Sequence, residues 1–151
     1  MSSESVKFMR AALVEGRKAL PLCLPNPPVG CVLVENGNIV ARGYTQPPSK
    51  PHAEAMALSQ VSGNLSTLTA YVTLEPCSFQ GRTPSCAKAL VASGIKRVFV
   101  AILDPDQRNA GNGIKLLQAG GIEVIVGLLE HEAQIDLSPY LNQLDTNTLS
   151  N

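Results

Sequence analysis

His52-Ala53-Glu54, Pro76-Cys77 and Cys86 place one imidazole, one carboxylate and two thiols in three short stretches of the chain. An imidazole and two thiolates form a donor set whose softness suits zinc, and three protein ligands leave one corner of a tetrahedron open. An open corner marks a catalytic metal, because water bound there becomes acidic enough to act as hydroxide near neutral pH. Two thiolates give the metal more charge than imidazoles would, so the acidification is weaker and a base is needed close by. Glu54, two residues after His52, can stand beside that water without ligating the metal and can carry its proton onward. A purely structural zinc is the alternative, and it has no use for Glu54.

The remaining candidates are less eloquent. Cys23 and Cys31 read as a loop thiol and a small strand residue. His131, flanked by Glu130 and Glu132, reads as a solvated position on a surface helix. Twelve basic and twelve acidic side chains balance in 151 residues, so the charge suggests neither a nucleic-acid groove nor an anionic membrane surface, and a small-molecule partner fits better. The opening Met-Ser-Ser-Glu-Ser-Val-Lys has none of the marks of an export signal, and no apolar run reaches membrane-spanning length. A cytoplasmic, reducing address is therefore expected, in which closely spaced cysteines bind metal or catalyse before they form disulfides.

A chain of this length makes one domain. Residues 1–144 are expected to form it, with 145–151 as a frayed tail. Apolar residues at helical spacing predict a helix over Val6 to Lys18, and four prolines from Pro21 to Pro28 predict a loop. Cys31 to Glu35 and Asn38 to Gly43 read as a hairpin turning at Asn36-Gly37, a pair that tolerates the positive φ of a type I′ turn. After the Pro-rich stretch 47–51, a helix is expected over His52 to Val61, which puts His52 and Glu54 in its first turn. A strand over Ala70 to Leu74 and a loop to Pro84 follow, with Thr83 as N-cap of a helix over Ser85 to Ala92 that carries Cys86 in its first turn. Both helix starts would favour ionised groups at the site. The rest alternates: strand Val98 to Leu103, helix Gly113 to Ala119, strand Glu123 to Gly127, and a last helix from Glu130 to about Leu144. Such alternation implies an α/β fold with parallel crossovers covering both faces of a sheet.

The His-x-Glu and Pro-Cys motifs resemble the signature of the zinc nucleobase deaminases, the cytidine and deoxycytidylate deaminase-like superfamily. Eight residues separate Cys77 from Cys86, where the general signature has two. The long form Val72-Thr73-Leu74-Glu75-Pro76-Cys77-Ser78-Phe79-Gln80-Gly81-Arg82-Thr83-Pro84-Ser85-Cys86-Ala87 is similar to the deaminase half of the bifunctional riboflavin-biosynthesis deaminase/reductase. The same family resembles this chain at Pro25-Asn26-Pro27-Pro28-Val29-Gly30-Cys31, at Pro51-His52-Ala53-Glu54, and from Ser93-Gly94-Ile95 to Asp104-Pro105. The resemblance implies a three-layer sandwich, with a mixed central sheet of about five strands between helices, and Zn2+ as cofactor. It also implies a dimer or higher homo-oligomer. The reductase half of that family has no counterpart in the 151 residues.

Roles carried over by the resemblance make His52, Cys77 and Cys86 the metal ligands and Glu54 the catalytic acid–base. Asn26, Ala53, Arg82, Thr83 and Phe79 become substrate-binding, with Arg82 and Thr83 near a phosphate. Plainer readings exist: Asn26 and Thr83 also suit a turn and a cap, and Arg82 a solvated loop charge. The implied reaction is hydrolytic deamination of 2,5-diamino-6-ribosylamino-4(3H)-pyrimidinone 5′-phosphate with release of ammonia. The chain departs from the family where Tyr44-Thr45 and Phe79 stand in place of histidines. Phe79 offers a base an apolar face instead of a polar contact. The same chemistry on another base, nucleoside or antibiotic intermediate is thus the near alternative, and an inactive zinc-stabilised binding module the distant one.

Overall fold

The computed structural model describes residues 2–80 and 84–150, with side chains described through Leu141. The elements are α1 (Ser3–Arg17), β1 (Gly30–Glu35), β2 (Asn38–Tyr44), α2 (Ala53–Leu58), β3 (Thr69–Leu74), α3 (Cys86–Ser93), β4 (Arg97–Ile102), α4 (Asn112–Ala119), β5 (Glu123–Val126) and α5 (Glu130–Ser150). The strands form one sheet in the order β2-β1-β3-β4-β5. β1 pairs antiparallel with β2 and β3, whereas β3, β4 and β5 run parallel. The fold is a mixed five-stranded α/β sandwich.

Burial along each strand follows from its place. β1, β3 and β4 lie inside the sheet and are apolar on both faces, with Val32, Val72, Val98 and Val100 wholly buried. β2 and β5 are edges, and their burial is partial. α1 and α5 cover one face; α2, α3 and α4 cover the other. α1 turns Phe8, Met9, Ala12 and Leu13 inward, and Ser2 caps it by accepting the Ser5 N–H. Asn36 (φ 51°) and Gly37 (φ 78°) both take the left-handed conformation that a type I′ hairpin requires.

Four boundaries near the site and at the C-terminal helix move from their expected places. α2 begins at Ala53, so His52 is its N-cap, with extended backbone, and not part of its first turn. It also ends at Leu58, short of Val61, because Gln60 turns away to bridge the backbone of edge strand β2, accepting from Arg42 N at 3.1 Å and donating to Arg42 O at 2.6 Å. A helix of six residues contributes little dipole, so the charge assistance expected from this helix start is small. At α3 the N-cap is Ser85, whose hydroxyl accepts the Lys88 N–H at 3.2 Å, and not Thr83. α5 continues past Leu144 to Ser150, and only Asn151 of the expected tail lies outside the described residues. Among the described residues no helix is long and apolar enough to cross a membrane.

Candidate active site

The parallel strands β3 and β4 end side by side, and the chain leaving each of them builds one wall of a crevice. In sheets of this kind ligands bind beyond such strand ends. Cys77 lies in the loop after β3, and Cys86 is the first residue of the helix that follows. His52 enters from the far side: as N-cap its extended backbone (φ −75°, ψ 172°) turns the imidazole out of α2 toward the two sulfurs. Its Nδ1 stands 3.3 Å from Cys86 Sγ and 3.9 Å from Cys77 Sγ. One ligand atom from each of the three residues lies within 4.8 Å of the others. A single imidazole and two thiols at that spacing match the chemistry of a zinc centre with an open corner.

The electrostatics suit a cation. The Cys77 thiol is held down at about 4, foremost by the Cys86 thiol that donates to it, and further by His52 and the Cys86 backbone N–H. Cys86 is pushed up in turn, as the donor of that pair and by burial. His52 is raised by its contact with Cys77. The cluster therefore already carries a thiolate, and a metal displaces the remaining protons.

Glu54, in the first turn of α2, is 4% exposed. Burial pushes its carboxyl up to about 7, where it can both take and give a proton near neutral pH. Close packing sets its depth: a Cβ on Gly43 of β2 would lie 2.1 Å from the Ala53 carbonyl oxygen, so only glycine lets α2 approach the sheet this far. Cys31, buried in β1, has its thiol raised well above the ordinary range by desolvation and by the Glu54 charge. It stands outside the three-residue group. Cys23 is likewise buried, and His131 is exposed on α5.

His52, Glu54 and Cys77 open onto a cavity of about 140 Å³, which Asn26 and Phe79 also line. Ala53, fully buried between His52 and Glu54, is not among the lining residues. Arg82 and Thr83 lie outside the described residues. Thr45, where the resembling family has a histidine, lines the cavity and does a different task. Its hydroxyl accepts from Val29 N at 2.9 Å and donates to Pro27 O at 2.9 Å, and so holds the Pro-rich segment that carries Asn26.

The rim holds Asp104, where the stretch that resembles the family ends, and two residues that the motifs did not single out. Asp104, Asp106 and Arg108 all follow β4. Burial raises the Asp104 carboxyl, whereas Asp106 is lowered by Arg108, whose Nη2 donates to it at 2.6 Å. The Arg108 guanidinium also lies over the Phe79 ring, 4.4 Å from its centroid, a cation–π contact that ties the loop after β3 to the loop after β4. The signal for Asp106 and Arg108 was positional, since polar residues just beyond a central parallel strand converge on the crevice.

Comparison with known proteins agrees with this geometry. The profile described as the cytidine and deoxycytidylate deaminase zinc-binding region matches residues 2–102. The riboflavin biosynthesis protein RibD of Haemophilus influenzae is 47% identical over 133 residues, which are 88% of this chain and 36% of that protein. The solved diaminohydroxyphosphoribosylaminopyrimidine deaminase/5-amino-6-(5-phosphoribosylamino)uracil reductase of Thermotoga maritima superposes with a TM-score of 0.87 at 36% identity, covering 95% of this chain and 42% of that one. The dCMP deaminase of cyanophage S-TIM5 superposes with a TM-score of 0.62 at 26% identity, covering 83% of this chain and 99% of that one. The chain thus spans a little over a third of the length of the curated relatives it matches. Over two thirds of its own length it carries the zinc-binding profile, with the three donors together in space, and it belongs to the cytidine and deoxycytidylate deaminase zinc-binding family.

Proposed function

We propose that the chain catalyses hydrolytic deamination of 2,5-diamino-6-ribosylamino-4(3H)-pyrimidinone 5′-phosphate, replacing a ring amine by a carbonyl oxygen and releasing ammonia. The observation that carries this reading is the position of Glu54: a buried carboxyl at about 7, lining one cavity with two of the three metal donors. Zinc held by His52, Cys77 and Cys86 supplies a Lewis acid that makes water nucleophilic near neutral pH. Glu54 takes the proton from the attacking water and passes it to the ring nitrogen beside the amine-bearing carbon. It then takes the proton of the added hydroxyl as the carbonyl forms and delivers it to the departing amine, which leaves as ammonia, so one buried carboxyl carries both transfers. The low dielectric around it strengthens each hydrogen bond made during the reaction.

Asn26 offers the ring a donor and an acceptor from one side chain, and Phe79 offers a face for stacking. In this reading Arg82 and Thr83 meet the phosphate. The Thermotoga maritima relative carries the same activity in its name, which supports this substrate over other amine-bearing rings. The reading also places the protein in the cytoplasm, as a homo-oligomer acting on a small phosphorylated pyrimidine and on no nucleic acid. Ammonia release from a substrate panel tests it. Turnover of the phosphorylated diaminopyrimidine, with little on dCMP, cytosine or guanine, is the expected result, and the reverse order of preference would move the chain to another substrate.

A further inference from the structure

Cys77 is the one proposed ligand that sits on neither a helix nor a helix cap, so something must hold its loop. On one side the start of α3 does so: Ser85 Oγ donates to Cys77 O at 2.8 Å and Ala87 N donates to the same oxygen at 3.0 Å. On the other side stands Asn109, a side chain 0% exposed in the segment between β4 and α4. Its Oδ1 accepts the Ser78 N–H at 3.1 Å, and its Nδ2 donates to Pro76 O at 3.2 Å. These two bonds fall on the residues immediately before and after Cys77.

We infer that Asn109 is a positioning residue for the metal centre, its carboxamide gripping the backbone on both sides of Cys77 and so setting where that sulfur stands relative to His52 and Cys86. The inference rests on the reading that these three residues hold zinc.

Three features make the grip specific. One planar group must donate and accept at once, which among side chains of this size only Asn provides; Asp lacks the donor and Leu lacks both. The segment that presents Asn109 is itself held. The buried Glu75 carboxylate accepts from Asp104 N at 3.1 Å, Gly111 N at 3.0 Å and Ile114 N at 3.2 Å. A Cβ on Gly113 would lie 2.0 Å from Pro76 O, so α4 is seated directly against the ligand loop. Asn109 Nδ2 also reaches Asp104 Oδ2 at 3.5 Å, which links the metal side of the cavity to its acidic rim. Removing partners that orient metal ligands in this way typically costs about 10–100-fold in metal affinity.

The test compares Asn109→Leu, Asn109→Asp and Asn112→Ala with the parent chain. Asn112 is the first residue of α4, three positions further on, and among the described residues its side chain bonds to Arg108 O alone, at 3.4 Å. Zinc affinity is measured by chelator competition, and ligand geometry by the visible spectrum of the Co2+-substituted protein. Asn109→Leu should bind zinc about 10–100-fold more weakly, and Asn109→Asp, which keeps the acceptor for Ser78 but loses the donor to Pro76 O, about tenfold more weakly. Both should shift the cobalt–thiolate bands, while Asn112→Ala stays at parental affinity with an unchanged spectrum. Should Asn109→Leu fail to fold, Asn109→Asp carries the test alone. Parental affinity and spectrum in the Asn109 variants, or an equal loss in Asn112→Ala, overturns the inference while leaving the deaminase reading intact. A parent chain that takes up no zinc overturns both.

Discussion

The backbone N–H of Cys86 points at the sulfur of Cys77, 3.2 Å away. This contact brings together two cysteines separated by eight residues in the chain, close enough to hold one ion. Cys77 follows the end of β3, and the first amide of α3 meets its sulfur. The N-terminal end of that helix favours a thiolate there, in keeping with a Cys77 thiol held at about 4.

Replacing Glu54 should separate metal binding from chemistry. Glu54→Gln keeps the size of the side chain and removes its proton transfer. Zinc content should stay at the parental level while ammonia release falls roughly 10²- to 10⁴-fold. Metal analysis and a steady-state ammonia assay on the same preparation check this.

Thr45 should affect stability and substrate affinity together. Thr45→Val leaves Val29 N and Pro27 O without their hydroxyl partner in a buried place. Val29 N still donates to Pro27 O at 3.0 Å, so neither group is orphaned and the expected cost is about 0.5–1.5 kcal/mol. KM should rise more than kcat falls, because the loosened segment carries Asn26 to the cavity wall. Urea unfolding and substrate titration would show a variant equal to its parent in both if the hydroxyl is idle.

Asp104 should give stability with a recognisable pH signature. Burial raises its carboxyl above the ordinary aspartate range, so the folded chain binds that proton more tightly than the unfolded chain does. Stability is therefore lost as pH rises through that window, and the loss is complete above the folded value. Asp104→Asn should raise Tm at pH 7, leave it unchanged at pH 3 where both states are protonated, and lower kcat/KM by removing a rim carboxylate. Thermal unfolding at the two pH values decides it.

Much of this was readable from residue types and spacing. That His52, Cys77 and Cys86 would come together, with Glu54 beside them, could be read because few chemistries call for an imidazole, two thiols and a carboxylate in such short motifs. The hairpin at Asn36-Gly37 was readable because that turn accepts few other residues. The limits of α2 were not, because they depend on Gln60 finding the backbone of Arg42, a tertiary contact with no local trace. Asp106, Arg108 and Asn109 were missed for a related reason. They carry no motif, and their task appears only once β4 is placed beside β3. Thr45 stood out as a departure from the resembling family, but its double hydrogen bond to the Pro-rich segment needed the fold to be seen.

X-ray absorption at the zinc edge, on protein of known metal content, tests the open-sided centre most directly. The account predicts one zinc per chain, with two sulfurs at about 2.3 Å and two nitrogen or oxygen neighbours at about 2.0–2.1 Å, of which one is His52 and the other exchangeable solvent. A third sulfur, which would enlist Cys31 or Cys23 and close the site, would contradict it, as would a chain that holds no zinc.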